Sequence, residues 1–120
     1  MNKIELFKPN EQDVMIDDRG KIMPFLPDKD IKEFVFIETV AGLDRGHHYH
    51  PEFDEYIMIT SGGGIYYEKI DDNIREIPVR AGDCIKIPQG IHHTFIADTL
   101  TTTVSCLTKK WNDCDNPILR

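Results

Sequence analysis

Short runs of β-branched and aromatic residues fill the chain from residue 34 to residue 108, broken every few positions by glycine, proline or clustered Asp and Asn. No stretch carries an apolar period near 3.6, so the pattern predicts strands throughout. Residues 34–40 form the first run and end at a loop with Gly42 and Gly46. Residues 55–60 form the next, closed by a turn at Ser61-Gly62-Gly63-Gly64. Residues 65–70 and 74–79 flank Asp71-Asp72-Asn73, which predicts a hairpin. Residues 84–87, 93–97 and 100–107 complete the set. Strands this short and evenly spaced predict an all-β antiparallel sandwich or barrel.

Outside this region the pattern loosens. Residues 14–16 and 21–25 read as edge strands around an Asp17-Asp18-Arg19-Gly20 turn, with Pro24 and Pro27 limiting regular pairing. Residues 109–120 are polar and turn-rich. Their one tryptophan, Trp111, is expected to cover the barrel end or a subunit contact. At 120 residues the chain is read as one domain: an arm of edge strands at 1–33, a barrel core at 34–108 and a tail at 109–120.

Strand periodicity turns the histidines into a candidate site. Residues two apart on a strand share a face, so His48 and His50 project together. A turn at Pro51 to Asp54 is expected to bring Glu55 back on the neighbouring antiparallel strand. His93 then arrives from a second strand pair, after Pro88-Gln89-Gly90. Three imidazoles and a carboxylate suit a borderline divalent cation such as Zn, Fe, Ni, Mn or Co. His47 and His92 are expected on the opposite strand faces, and Glu52 and Asp54 as solvated turn residues. Ile57 and Ile59 share the parity of Glu55, and Phe95 that of His93, so these three should line an apolar substrate pocket. Tyr66 and Tyr67 are adjacent, so one of them faces inward as a hydrogen-bond donor or proton shuttle.

The two runs Gly42-x5-His48-x-His50-x4-Glu55-x6-Gly62 and Gly82-x5-Pro88-x-Gly90-x2-His93 resemble the two motifs of the cupin superfamily. Ala97 departs from the second motif, which usually carries Asn there, at a position that is not a metal ligand. The resemblance implies an antiparallel double-stranded β-helix, or jelly-roll barrel, with a ligand cavity at its mouth. It also implies His48, His50, Glu55 and His93 as metal ligands, and a homodimer.

Two finer resemblances bear on activity. Residues 45–51 (Arg-Gly-His-His-Tyr-His-Pro), with Asp17-Asp18-Arg19-Gly20 upstream, are similar to small cupins that act on nucleotide-linked sugars, the 3,4-ketoisomerases and 3-epimerases. Asp113-Cys114-Asp115-Asn116-Pro117 is reminiscent of their C-terminal segments. Residues 46–51 followed by Glu55-Tyr56 are similar to the longer cupin-type phosphoglucose isomerases. Both imply a metal-assisted isomerase or epimerase acting on a carbonyl-containing sugar through an enediolate. Arg45 would contact a phosphate or the sugar, and Tyr66, Tyr67, His48 or His50 would move the proton. The alternatives are an Fe(II)-dependent dioxygenase of a small organic substrate and a non-catalytic sugar-binding cupin.

Composition narrows the partners. Lys plus Arg number 14 against 21 Asp plus Glu, a net charge of -7. No basic cluster supplies the footprint of a nucleic-acid binder. The charged start has neither the apolar stretch of a signal peptide nor that of a membrane span. Cys84, Cys106 and Cys114 lack C-x-x-C spacing and read as reduced thiols, so a cytoplasmic location is expected.

Overall fold

Side chains at Thr101, Thr103, Ser105 and Leu107 are buried, while Thr102, Val104 and Cys106 between them are partly open. This two-residue alternation, repeated strand after strand, closes the core between two sheets. The computed structural model describes residues 2–120. Its strands in chain order are β1 (Glu5–Leu6), β2 (Met15–Asp17), β3 (Gly20–Ile22), β4 (Glu33–Thr39), β5 (Asp44–His48) and β6 (Glu55–Ser61). They continue as β7 (Gly63–Ile70), β8 (Asn73–Arg80), β9 (Cys84–Ile87), β10 (His92–Ala97) and β11 (Thr101–Leu107). One sheet runs β1-β9-β6-β11-β4, the other β5-β10-β7-β8, and every strand pair is antiparallel. Apart from two short 3-10 turns there is no helix among the described residues, so the all-β antiparallel jelly roll is the architecture observed.

The core joins Ile57, Ile59, Ile85 and Ile87 of the first sheet to Tyr66, Ile77, Val79 and Phe95 of the second, with Ile4 at one end. Each isoleucine so buried contributes on the order of 1.5–3 kcal/mol over its exposed state. Ile4 is fixed by a polar clamp. Its backbone N–H donates to Glu68 Oε2 at 2.5 Å, and Arg75 bonds both Glu68 and the Ile4 carbonyl.

Three details differ from the sequence reading. Residues 15–17 and 20–22 pair only with each other, as a separate two-stranded sheet, instead of edging the barrel. The strand that does edge it, β1, is too short and polar to announce itself. Gly63 and Gly64 belong to β7, not to a turn. A Cβ on Gly64 would lie 2.2 Å from the Ile96 carbonyl oxygen, so glycine is required there by the closeness of β10.

Candidate metal centre

His48 and His93 are register partners across β5 and β10. Next to this pair, β5 carries one extra residue: Thr94 faces Gly46 while His93 faces His48. His47 occupies the bulge with φ +57°, and Gly46 at +126° makes the bend. Because of the bulge, Arg45 and His48 share a face although they are three positions apart. Their partners Phe95 and His93 both line the cavity. β5 ends at His48. The chain then forms an isolated bridge through Tyr49 to Leu119 before His50. His50 still projects with His48, their ring centroids 4.8 Å apart.

Glu55 does not come from the neighbouring strand of the same sheet, as the turn at 51–54 led us to expect. It begins β6 in the opposite sheet, paired with β9 and β11. The intervening segment crosses between sheets because Asp54 anchors it. Asp54 is buried, not solvated: its Oδ1 accepts from the Gln89 N–H at 2.8 Å, and its Oδ2 pairs with Lys29 Nζ at 2.6 Å. Glu52 is tied as well, accepting from Lys109 Nζ and the Asn116 N–H.

One ring nitrogen of each of His48, His50 and His93 lies within 4.8 Å of the others. His50 Nδ1 donates to the Pro117 carbonyl and His93 Nδ1 to the Ile91 carbonyl, both at 2.9 Å. Those bonds leave each Nε2 as a lone pair for the centre. Glu55 Oε2 accepts from the buried hydroxyl of Ser105. Glu55 Oε1 sits 3.3 Å from His50 Nε2 but has no hydrogen-bond partner, a buried carboxylate oxygen left open. An unpaired buried oxygen is costly. The three clustered imidazole nitrogens could hold a metal ion, and Glu55 Oε1 lies beside them at His50.

The electrostatics agree. Burial, then the neighbouring His93 and His50, lowers the His48 pKa to about 4. Burial likewise lowers His93. Burial would also lower His50, but Glu55 beside it raises it on balance. Burial would raise Glu55, yet His50 and Ser105 bring it down to about 2. His48 and His93 are thus held as neutral imidazoles beside an ionised Glu55, while that carboxylate favours the charged form of His50 until a cation takes its place.

A cavity of about 430 Å³ opens onto these four residues. Ile57, Phe95 and Tyr66 line it, the Tyr66 ring tilted 34° against Phe95 at a centroid distance of 4.7 Å. Ile59 lies deeper, wholly in the core, and Tyr67 is on the other face of β7 from Tyr66, so neither reaches the cavity. Arg45 lines the wall but spends Nε on Thr39 Oγ1 and Nη2 on the Glu38 carbonyl. His47 pairs with Asp44 at 2.6 Å and stands apart from the three clustered histidines, as does His92. Sequence reasoning missed Ser105 and the tail. Ser105 shares the inward parity of Thr103, the one signal available for it. Trp111, Ile118 and Arg120 form the outer wall of the cavity, and no local pattern points to that.

Comparison with known proteins places this geometry. A 59-residue stretch is 39% identical to an acireductone dioxygenase of Sulfurihydrogenibium sp., covering 49% of this chain and 32% of that protein. The match thus spans about a third of the relative's length. The whole chain superposes on a 3,4-ketoisomerase from Helicobacter canadensis with a TM-score of 0.85, at 15% identity and 92% coverage of that chain. It superposes equally on a mutant of the 3,4-ketoisomerase QdtA from Thermoanaerobacterium thermosaccharolyticum in complex with TDP-4-keto-6-deoxyglucose, with a TM-score of 0.84, 16% identity, and 100% and 88% of the two chains covered. At such identities these likenesses speak for the fold alone. The family model described as Cupin domain matches residues 35–108, the stretch that carries both histidine motifs and most of the two facing sheets, and so this chain belongs to the cupin family.

Proposed function

We propose that this cupin is a metal-dependent isomerase or epimerase of a carbonyl-containing sugar, phosphorylated or nucleotide-linked. The observation that carries the proposal is the unpartnered Glu55 Oε1 beside three clustered histidines that line one substrate-sized cavity. His48, His50, Glu55 and His93 would hold the cation. When bound, it supplies positive charge beside a substrate carbonyl and so favours the enediolate left when the adjacent proton departs. The chain's own residues do the rest. Ile57 and Phe95 give the substrate an apolar wall and exclude water. Burial raises the Tyr66 pKa well above the usual tyrosine range, so its hydroxyl stays protonated and suits donation to a developing oxyanion. The shared fold of a ketoisomerase solved with TDP-4-keto-6-deoxyglucose makes a nucleotide-linked keto sugar the first substrate to try.

The test is metal analysis of the purified protein, followed by deuterium uptake at the substrate carbon with keto-sugar nucleotides and sugar phosphates. Exchange that needs both the metal and His48 supports the proposal. A metal-loaded protein that exchanges no substrate carbon sinks it.

The 39% match to an acireductone dioxygenase favours a second reading, oxygen-dependent cleavage of a small enediol. Iron-dependent oxygen consumption separates it from the first. A homodimer is kept as part of the proposal, supported by Phe34 and Phe36, which are 77% and 65% exposed on the edge strand β4. A sedimentation mass of one chain would end it.

A further inference from the structure

The C-terminal segment is tied to the metal centre at three points. Tyr49, between His48 and His50, exchanges both backbone hydrogen bonds with Leu119, at 2.8 and 3.0 Å. The Pro117 carbonyl fixes the His50 ring. The Asn116 N–H is held by Glu52 at 2.6 Å. An antiparallel bridge at Tyr49 and Leu119 sets Ile118 opposite His50 and Arg120 opposite His48. Directly opposed residues share a face, and both Ile118 and Arg120 do line the cavity.

Two guanidinium groups line that cavity, and they are not equivalent. Arg45 is engaged by Thr39 and the Glu38 carbonyl. Arg120 is exposed at the mouth with no side-chain hydrogen bond or ion pair among the described residues. The two acids that line the same cavity are engaged elsewhere, Asp44 with His47 and Glu55 with His50 and Ser105. In a chain of net charge -7, one unengaged cation held beside the reaction centre is a selective feature.

We infer that Arg120 is the anion-recognition residue of this site, its guanidinium taking the phosphoryl group of a phosphorylated or nucleotide-linked sugar whose carbonyl lies toward the histidines. A guanidinium fork binds two phosphoryl oxygens at once, and the registered backbone at Leu119 fixes where the fork begins. The inference rests on the sugar substrate proposed above, and it gives the C-terminal segment a role in specificity beyond covering the barrel.

Calorimetric titration of the metal-loaded protein with thymidine diphosphate and with fructose 6-phosphate tests it, using wild type, Arg120→Ala, Arg120→Lys and the remote Arg80→Ala. Arg120→Ala is expected to weaken at least one probe tenfold or more, Arg120→Lys to recover part of the loss, and Arg80→Ala to match wild type. Metal content and hydrogen-exchange protection of the Leu119 amide should be unchanged in Arg120→Ala, which separates anion contact from loosening of the segment. Which probe responds tells a nucleotide diphosphate from a sugar phosphate. Equal affinity in wild type and Arg120→Ala overturns the inference, and so does failure of wild type to bind either probe. Binding that depends on Arg120 without carbon exchange would instead overturn the proposed reaction and leave the anion site standing.

Discussion

Ser105 on β11 donates its hydroxyl to Glu55 Oε2 on the adjacent β6, and this one bond decides which carboxylate oxygen is left facing the histidines. Both residues are buried, so neither the hydroxyl nor the carboxylate can turn to water instead. The bond holds the carboxylate in one rotamer, with Oε1 turned toward His50.

Ser105→Ala should therefore lower metal affinity about tenfold, the usual effect of losing such an outer-shell partner. Competition with a chromophoric chelator measures it. Glu55→Gln should cost more than Ser105→Ala, since it removes the charge itself. If Ser105→Ala binds metal as wild type does, the bond only fills the core.

Gly46→Ala addresses the bulge. The added Cβ would stand 2.5 Å from the His93 carbonyl oxygen, at a φ of +126° that L residues rarely adopt. Strain of this kind costs about 1–3 kcal/mol, and the backbone that must yield is that of His93 and Thr94. Thermal unfolding should show the loss, and metal binding should fall with it. Gly42→Ala meets no atom within 4 Å and tests positive φ alone. It should destabilise less and leave metal binding intact.

The contrast between His48 and Glu55 shows where sequence is informative. Strand alternation and motif spacing were enough to bring His48, His50 and His93 together, because they depend on local periodicity and one strand pairing. Glu55 was assigned to the site by spacing but to the wrong sheet, since nothing in Pro51-Glu52-Phe53-Asp54 shows that Asp54 will bury itself against Gln89 and Lys29. Arg120 was invisible for the same reason. Its place depends on a bridge 70 residues away in sequence, and a polar tail has no period to read.

Acid stability should report the clamp on the N-terminal strand. Burial alone would raise the Glu68 pKa, but Arg75 and the Ile4 N–H together hold it below its ordinary 4.5. A carboxyl depressed in the folded state contributes stability above its unfolded value, and that stability is lost as pH falls through the folded pKa. Glu68→Gln should cost about 2 kcal/mol at pH 7, the scale of a buried hydrogen bond to a charged group. Between its ordinary 4.5 and the lower folded value, wild type should lose stability faster than the variant. Urea unfolding of chelator-treated protein across this range checks it. Parallel acid limbs in the two proteins would show that the clamp carries no net linkage.

Tyr66→Phe gives the sharpest division between a filled core and a working site. The ring is 5% exposed and packs at a tilt against Phe95, so phenylalanine preserves its packing and removes only the hydroxyl. Burial, aided by the negative charge of Glu55, keeps that hydroxyl protonated. It therefore donates and does not act as a base, and it adds no alkaline limb to the rate between about pH 6 and 9. Under the proposed isomerisation, the variant should retain its metal and its melting temperature. Its kcat for deuterium exchange at the substrate carbon should fall about 100-fold, with KM little changed. His48→Ala, which removes a proposed ligand, should instead abolish exchange and reduce bound metal together. Wild-type turnover in Tyr66→Phe would return Tyr66 to the core and leave the developing oxyanion to the metal and the histidines.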